Sequence, residues 1–132
     1  MYKEFIDAYI GRMMEVYKKS RNLIIAYDFD DTVNPTHAYS YPYVERAVEL
    51  LKKAGKRKDL RFILVTCREG EKLTEAECTL IMLGLPYNSI NQNLPFSIAD
   101  DPRKIYCNLM LDDKAGLPLS CDILEELLKK LP

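Results

Sequence analysis

The stretch 23-LIIAYDFDDT-32 decides how the rest of the chain is read. Leu23, Ile24, Ile25, Ala26 and Tyr27 have the length and apolar character of a strand buried on both faces. The run stops in three carboxylates, Asp28, Asp30 and Asp31, within four residues. Like charges so close repel strongly away from water. Because they follow a core strand directly, a compensating cation is expected beside them. In an open parallel α/β sheet, ligands bind just beyond the carboxyl ends of the strands. That is where these acids are expected.

Upstream, residues 2–20 read as an amphipathic helix, with Phe5, Ile6, Tyr9, Ile10, Met13, Val16 and Tyr17 on one stripe. Such a stripe packs on a core or, less often, forms a dimer face. Downstream, the 14-residue loop 29–42 leads to a helix with Pro42 in its first turn and Ser40 or Tyr41 near its cap. Val44, Ala47, Val48, Leu51 and Ala54 form its buried face, and Gly55 is placed to end it. The basic run Lys52, Lys53, Lys56, Arg57, Lys58 complements the dipole at that helix end. Residues 60–66, LRFILVT, give a second strand, followed by a helix at 71–83 carrying Leu73, Ala76, Leu80, Ile81 and Leu83 and stopped at Gly84. A short third strand is expected at 88–91 and an irregular stretch at 92–104, broken by Pro95 and Pro102. The fourth strand, IYCNLML at 105–111, ends in a second acid pair, Asp112 and Asp113. After a turn through Gly116 and Pro118, Ser120 is expected to cap a last amphipathic helix through Ile123, Leu124, Leu127 and Leu128. Strands alternating with helices across short connections predict an α/β fold: a three-layer sandwich around a parallel, Rossmann-like sheet.

The 132 residues suit one domain, 1–132, with a core that needs no staples. A formal net charge of -1 argues against a broad electrostatic footprint for nucleic acid or acidic lipid. Cys67, Cys78, Cys107 and Cys121 form no CxxC pair, and the chain opens MYKEF with no apolar signal segment and no membrane-length apolar run. Reduced thiols and a cytoplasmic location are the expectation.

Three expected strands therefore finish in polar groups on one sheet edge: Asp28 and Asp30 on the first, Thr66 on the second, Asp112 and Asp113 on the fourth. Carboxylates from two strands and a hydroxyl make an oxygen-rich pocket suited to Mg²⁺, a hard cation that shares its shell with water and substrate phosphate.

These residues carry a resemblance. DFDDT at 28–32 resembles the first motif, Asp-x-Asp-x-Thr, of the haloacid dehalogenase (HAD) superfamily of aspartate-nucleophile phosphohydrolases. ILVT ending at Thr66 resembles the second motif, and LMLDD ending at Asp112 and Asp113 the fourth. TCREGEKL (66–73), SINQNLP (89–95) and RKIYCNLMLDD (103–113) are similar to small capless members, and the likeness spans about residues 22–128. The resemblance implies Asp28 as nucleophile, Asp30 as general acid and base, Thr66 on a phosphoryl oxygen, and Thr32 bracing the turn. It implies Mg²⁺ held by Asp28, Asp112, Asp113 and, through its backbone carbonyl, Asp30. It implies a phosphatase of open site, its loops too short for a cap domain, acting on a phosphorylated small molecule or on phosphate carried by a larger one, a polynucleotide end included. A neighbouring copy could serve as lid.

The superfamily's third motif, a phosphate-neutralising Lys, has no clear match. Lys104 precedes Asp112 by eight residues, and an extended 105–111 would put it roughly 25 Å away at the wrong end of the sheet. Arg68 is better placed for phosphate, with Lys72 and Lys114 as other choices. His37 is the only histidine, and no nucleophile pairs with it in the sequence. Tyr39, Tyr41 and Tyr43 near it suit loop packing or a substrate rim. Cys67 is expected to point away from Thr66, into the core. Two alternatives stand beside the enzyme: an HAD-like phosphate-ligand binder with little turnover, and a receiver-like phospho-accepting domain. A receiver would carry its phosphorylated Asp at the end of the third strand, where this chain offers Asn91 and Asn93.

Overall fold

The computed structural model describes residues 2–95 and 103–132. The apolar run forms strand β1 (Leu23–Asp28), whose residues 23–27 are all at most 3% exposed. Fully burying a Leu or Ile contributes about 1.5–3 kcal/mol, so this strand is the natural centre of the molecule. Its neighbours are β2 (Leu60–Val65), β3 (Ser89–Ile90) and β4 (Leu109–Leu111), all parallel, in the order β3-β2-β1-β4.

Helices α1 (Tyr2–Ser20), α2 (Tyr41–Gly55), α3 (Gly70–Leu83) and α4 (Leu117–Lys130) contribute to one core on the Leu23, Ile25, Tyr27 face of β1. The opposite face, Ile24, Ala26 and Ile63, is covered by Leu94, Ile105, Tyr106 and Cys107 of the β3–β4 crossover. Helices, sheet and crossover make the three layers of the expected Rossmann-like α/β sandwich. The handedness rule for parallel crossovers explains the split. Stepping from β1 to β2 to β3 keeps α2 and α3 on one face, and the return to β4 must cross on the other. Among the described residues that return carries no helix. Residues 96–102, with Pro102, lie outside the described residues.

Several local expectations are corrected. The fourth strand is only Leu109–Leu111, because residues 105–107 leave the ladder to cover the second face. Asn108 ends the pairing by using its own side chain: Ile24 N–H donates to Asn108 Oδ1 at 2.8 Å. Asn88 does the same for Phe62 N–H at 2.7 Å, so Asn side chains extend the two short strands. The last helix starts at Leu117, with Gly116 (φ 73°) at its cap and Pro118 inside its first turn. Ser120 is a buried residue of that first turn, its N–H donating to the Gly116 carbonyl. Pro118 suits a first helical turn, where its missing N–H costs nothing. Pro42 holds the same place in α2, but Ser40 makes no capping bond because its hydroxyl turns to Asp31. Phe5 and Ile81, assigned to buried stripes, are 52% and 68% exposed. The α1 stripe is nonetheless core: Ile10, Met13 and Tyr17 are buried, and the Tyr9 and Tyr17 hydroxyls donate to the Asn108 carbonyl and Asp59. Gly55 ends α2 where a Cβ would lie 2.8 Å from Pro86, and Gly84 caps α3 at φ 71°, a conformation that costs other residues. No helix among the described residues is long and apolar enough to cross a membrane.

Candidate active site

Sheet order reverses between β1 and β4, and such a switch point opens a crevice at the strands' carboxyl ends. Register puts Tyr27 opposite Leu111 and Asp28 opposite Val65. The residues one step further on, Asp28, Asp112 and Thr66, therefore reach the same edge. Asp28, Asp112 and Asp113 each place a carboxylate oxygen within 4.8 Å of the others. The two acid groups separated in sequence by more than eighty residues do meet.

The cluster is electrostatically strained. Burial first, then the neighbouring Asp112 and a hydrogen bond shared with Asp113, push the Asp28 carboxyl up to about 7. Thr32, fully buried, ties the two loops together. Its hydroxyl donates to Asp28 Oδ2 at 3.4 Å and accepts the Asp113 N–H at 3.0 Å. The resemblance implies Thr32 bracing the turn that aims Asp28 and Asp30; in the structure its hydroxyl joins Asp28 to the Asp113 loop. Three converging carboxylates with one carboxyl held against its ionisation are a donor set that fits a divalent cation, and their all-oxygen character fits Mg²⁺.

Asp30 faces elsewhere. Its carboxylate is gripped by Arg68, Nη2 to Oδ1 at 2.7 Å and Nε to Oδ2 at 3.0 Å, and the guanidinium lies 4.7 Å from the Phe29 ring centroid. The hydrogen bond from Arg68 holds the Asp30 carboxyl below the usual range. So Arg68, expected on phosphate, stands beside the site but on Asp30, and the Asp30 carboxylate is outside the three-acid cluster. Thr66 is 9% exposed, and its hydroxyl accepts the Arg68 N–H at 3.1 Å. Asn91, just past β3, clamps Thr66: the Thr66 N–H donates to Asn91 Oδ1, and Asn91 Nδ2 donates to the Thr66 carbonyl, both at 2.9 Å. Asn91 was visible in sequence only as a residue after a short strand, and nothing there announced the clamp.

The long extended run that would carry Lys104 to the far end of the sheet does not form. The Lys104 backbone carbonyl accepts a hydrogen bond from Asn93, two residues past the Asn91 clamp. Cys67 is exposed, not core, because the strand ends at Val65 and alternation no longer governs it.

The loop after β1 is held by Asp31, whose side chain is only 10% exposed. It accepts from Thr36 N–H at 2.8 Å, His37 N–H at 3.2 Å, Ser40 Oγ at 2.9 Å, the Thr36 hydroxyl and His37 Nδ1 at 3.0 Å. Burial opposes its ionisation, but the bonds from Thr36, Ser40 and His37 outweigh it and keep the carboxyl well below the usual range. The third acid of the first motif is thus a loop anchor, which repulsion between bare charges did not suggest.

Fold and site together define the class: a Rossmann-like α/β protein with an acid cluster at its topological switch point. No family model matches the chain, and none of the curated proteins does. Among solved structures, one described as that of a conserved protein from Bacteroides thetaiotaomicron is 31% identical, with a TM-score of 0.59, over 83% of this chain and 93% of that one. At that identity and coverage the chain belongs to the family of this conserved protein.

Proposed function

We propose that the protein is an Mg²⁺-dependent phosphomonoester hydrolase of the HAD type, working through an aspartyl-phosphate. The observation that carries this reading is the convergence of Asp28, Asp112 and Asp113 on one point beside Thr66. Mg²⁺ held by Asp28, Asp112, Asp113 and the backbone carbonyl of Asp30 would cancel the repulsion between anionic nucleophile and anionic phosphate. A carboxylate oxygen of Asp28 attacks phosphorus in line as the ester oxygen leaves with a proton from Asp30. Asp30 then takes a proton from the water that attacks the acyl-phosphate, releasing inorganic phosphate and restoring Asp28. The Thr66 hydroxyl holds a phosphoryl oxygen. Arg68 must leave Asp30 before that carboxylate takes up a proton, and an incoming phosphate dianion is the competitor able to draw it away. Arg68 thereby fills the place of the unmatched Lys, ahead of Lys104.

The sheet order supports this over a receiver-like domain. The order β3-β2-β1-β4 is of Rossmann type, whereas the receiver order sets β1 between β2 and β3. One observation favours a binder with little turnover: the Arg68 grip keeps Asp30 ionised, unfit to protonate a leaving group. An aryl phosphate with Mg²⁺ decides between them. Hydrolysis is expected in the wild type, and Asp28→Asn should lower it by about three orders of magnitude or more. Undiminished turnover in that variant removes Asp28 as nucleophile. Phosphate binding without turnover in the wild type establishes the binder.

A further inference from the structure

We infer that Asn91 is a positioning residue of this site: its side-chain amide fixes the Thr66 backbone and so sets where the Thr66 hydroxyl donates. The inference rests on the phosphatase reading above, in which that hydroxyl holds a phosphoryl oxygen. Asp28 pairs with Val65 across the ladder, so Thr66 is the next residue beyond the nucleophile's neighbour. Two residues further on, the Arg68 guanidinium lies on Asp30, and Asp30, Cys67 and Arg68 line one cavity of about 380 Å³ with Lys72 and Glu75. The 66–68 segment is thus tied to the acid-bearing segment 28–30 at both of its ends.

The ladder between β2 and β3 has run out before Thr66. Leu64 opposite Ile90 is its last pair. Asn91 N–H still reaches the Leu64 carbonyl at 2.8 Å, but a φ of 54° turns the chain out of the strand. The Asn91 side chain then stands in for the missing ladder, accepting from the Thr66 N–H and donating to the Thr66 carbonyl. The residue type follows from these two demands. Beyond glycine, the left-handed region is open chiefly to Asn and Asp. Glycine has no amide, and an ionised Asp has no proton for a carbonyl. Asn alone of the three meets both.

With its backbone held, the Thr66 hydroxyl is held too. Thr66 Oγ1 accepts the Arg68 N–H at 3.1 Å, which occupies one lone pair. Its own proton has no acceptor among the described residues, which leaves the hydroxyl a donor for a phosphoryl oxygen. Asn88 supplies the contrast. It joins the same two strands, accepting the Phe62 N–H at 2.7 Å while its own N–H reaches the Phe62 carbonyl at 2.8 Å, but at the start of β3 and away from the acids. An amide that only completes strands acts alike at either end, whereas a positioning amide acts through Thr66.

The test is steady-state hydrolysis of an aryl phosphate with Mg²⁺. Asn91→Gly keeps the left-handed backbone and removes only the amide. It should lower kcat about ten- to hundred-fold, the cost of misplacing a group that acts in the transition state, with KM within about two-fold of wild type. Asn88→Ala should lower the melting temperature and leave kcat near wild type. In a Thr66→Ala background, Asn91→Gly should cost nothing further in kcat. An unchanged kcat in Asn91→Gly, an equal loss in Asn88→Ala, or a loss that persists without the Thr66 hydroxyl overturns the assignment. If the wild type hydrolyses no phosphomonoester, the phosphatase reading fails separately. Calorimetry with Mg²⁺ and orthovanadate, which takes up the five-coordinate geometry of in-line transfer, then decides. Asn91→Gly should bind orthovanadate about ten-fold more weakly and Asn88→Ala as wild type does. No binding by the wild type, or equal affinity in Asn91→Gly, overturns the assignment on that arm.

Discussion

Asp28 is the residue on which the site's energetics turn. Its carboxyl is pushed up to about 7 by burial and by Asp112 and Asp113, against about 3.9 in an unfolded chain. The folded state therefore holds the proton more tightly than the unfolded one. Without a cation this favours the fold below about pH 4, and the advantage is lost as pH rises toward 7. Asp30 and Asp31 act oppositely: their lowered values stabilise the fold above the unfolded pKa and are lost as pH falls below about 4. The two windows do not overlap. In chelator, the melting temperature should fall between pH 5 and 8, and millimolar Mg²⁺ should restore it more at pH 8 than at pH 5. Asp28→Asn should flatten the profile over that range. A wild-type profile already flat in chelator removes the strained cluster from the account.

At the level of elements, short strands are completed by side chains. β3 has two residues and β4 three, yet Asn88, Asn91 and Asn108 accept the N–H groups of Phe62, Thr66 and Ile24. A strand pattern in sequence counts apolar residues and has no means of seeing an amide that stands in for a ladder carbonyl. That is why 105–111 reads as one strand while only its last three residues pair. Asn108→Ala should leave Ile24 N–H without its partner at the sheet's centre. A loss of about 1–3 kcal/mol is expected in urea denaturation, while a change within about 0.5 kcal/mol would show that water replaces the amide.

For the whole molecule, the N-terminal helix is the instructive case. The stretch that resembles the HAD pattern begins after it, yet Ile10, Met13 and Tyr17 are built into the same core as β1 and α4. Its removal would expose the Asn108 and Asp59 ends of the sheet that Tyr9 and Tyr17 hold. Met13→Ala should cost about 2–5 kcal/mol and leave a single unfolding transition. Two transitions would mean that α1 docks on a domain able to fold alone.

Periodicity and strand-end chemistry in the sequence were enough to establish the α/β class, the central strand and the edge where the acids gather. Buried runs and amphipathic stripes are local signals, and a parallel sheet must bring its strand ends to one side. Tertiary structure alone decided the partners. Asp31 became an anchor because Thr36, His37 and Ser40 fold back over it. Arg68 went to Asp30, and Thr32 joined acids that lie far apart in the chain. A hydrogen bond needs its donor and acceptor placed to within a few tenths of an ångström, here on segments brought together only by folding, and residue order carries no record of that geometry.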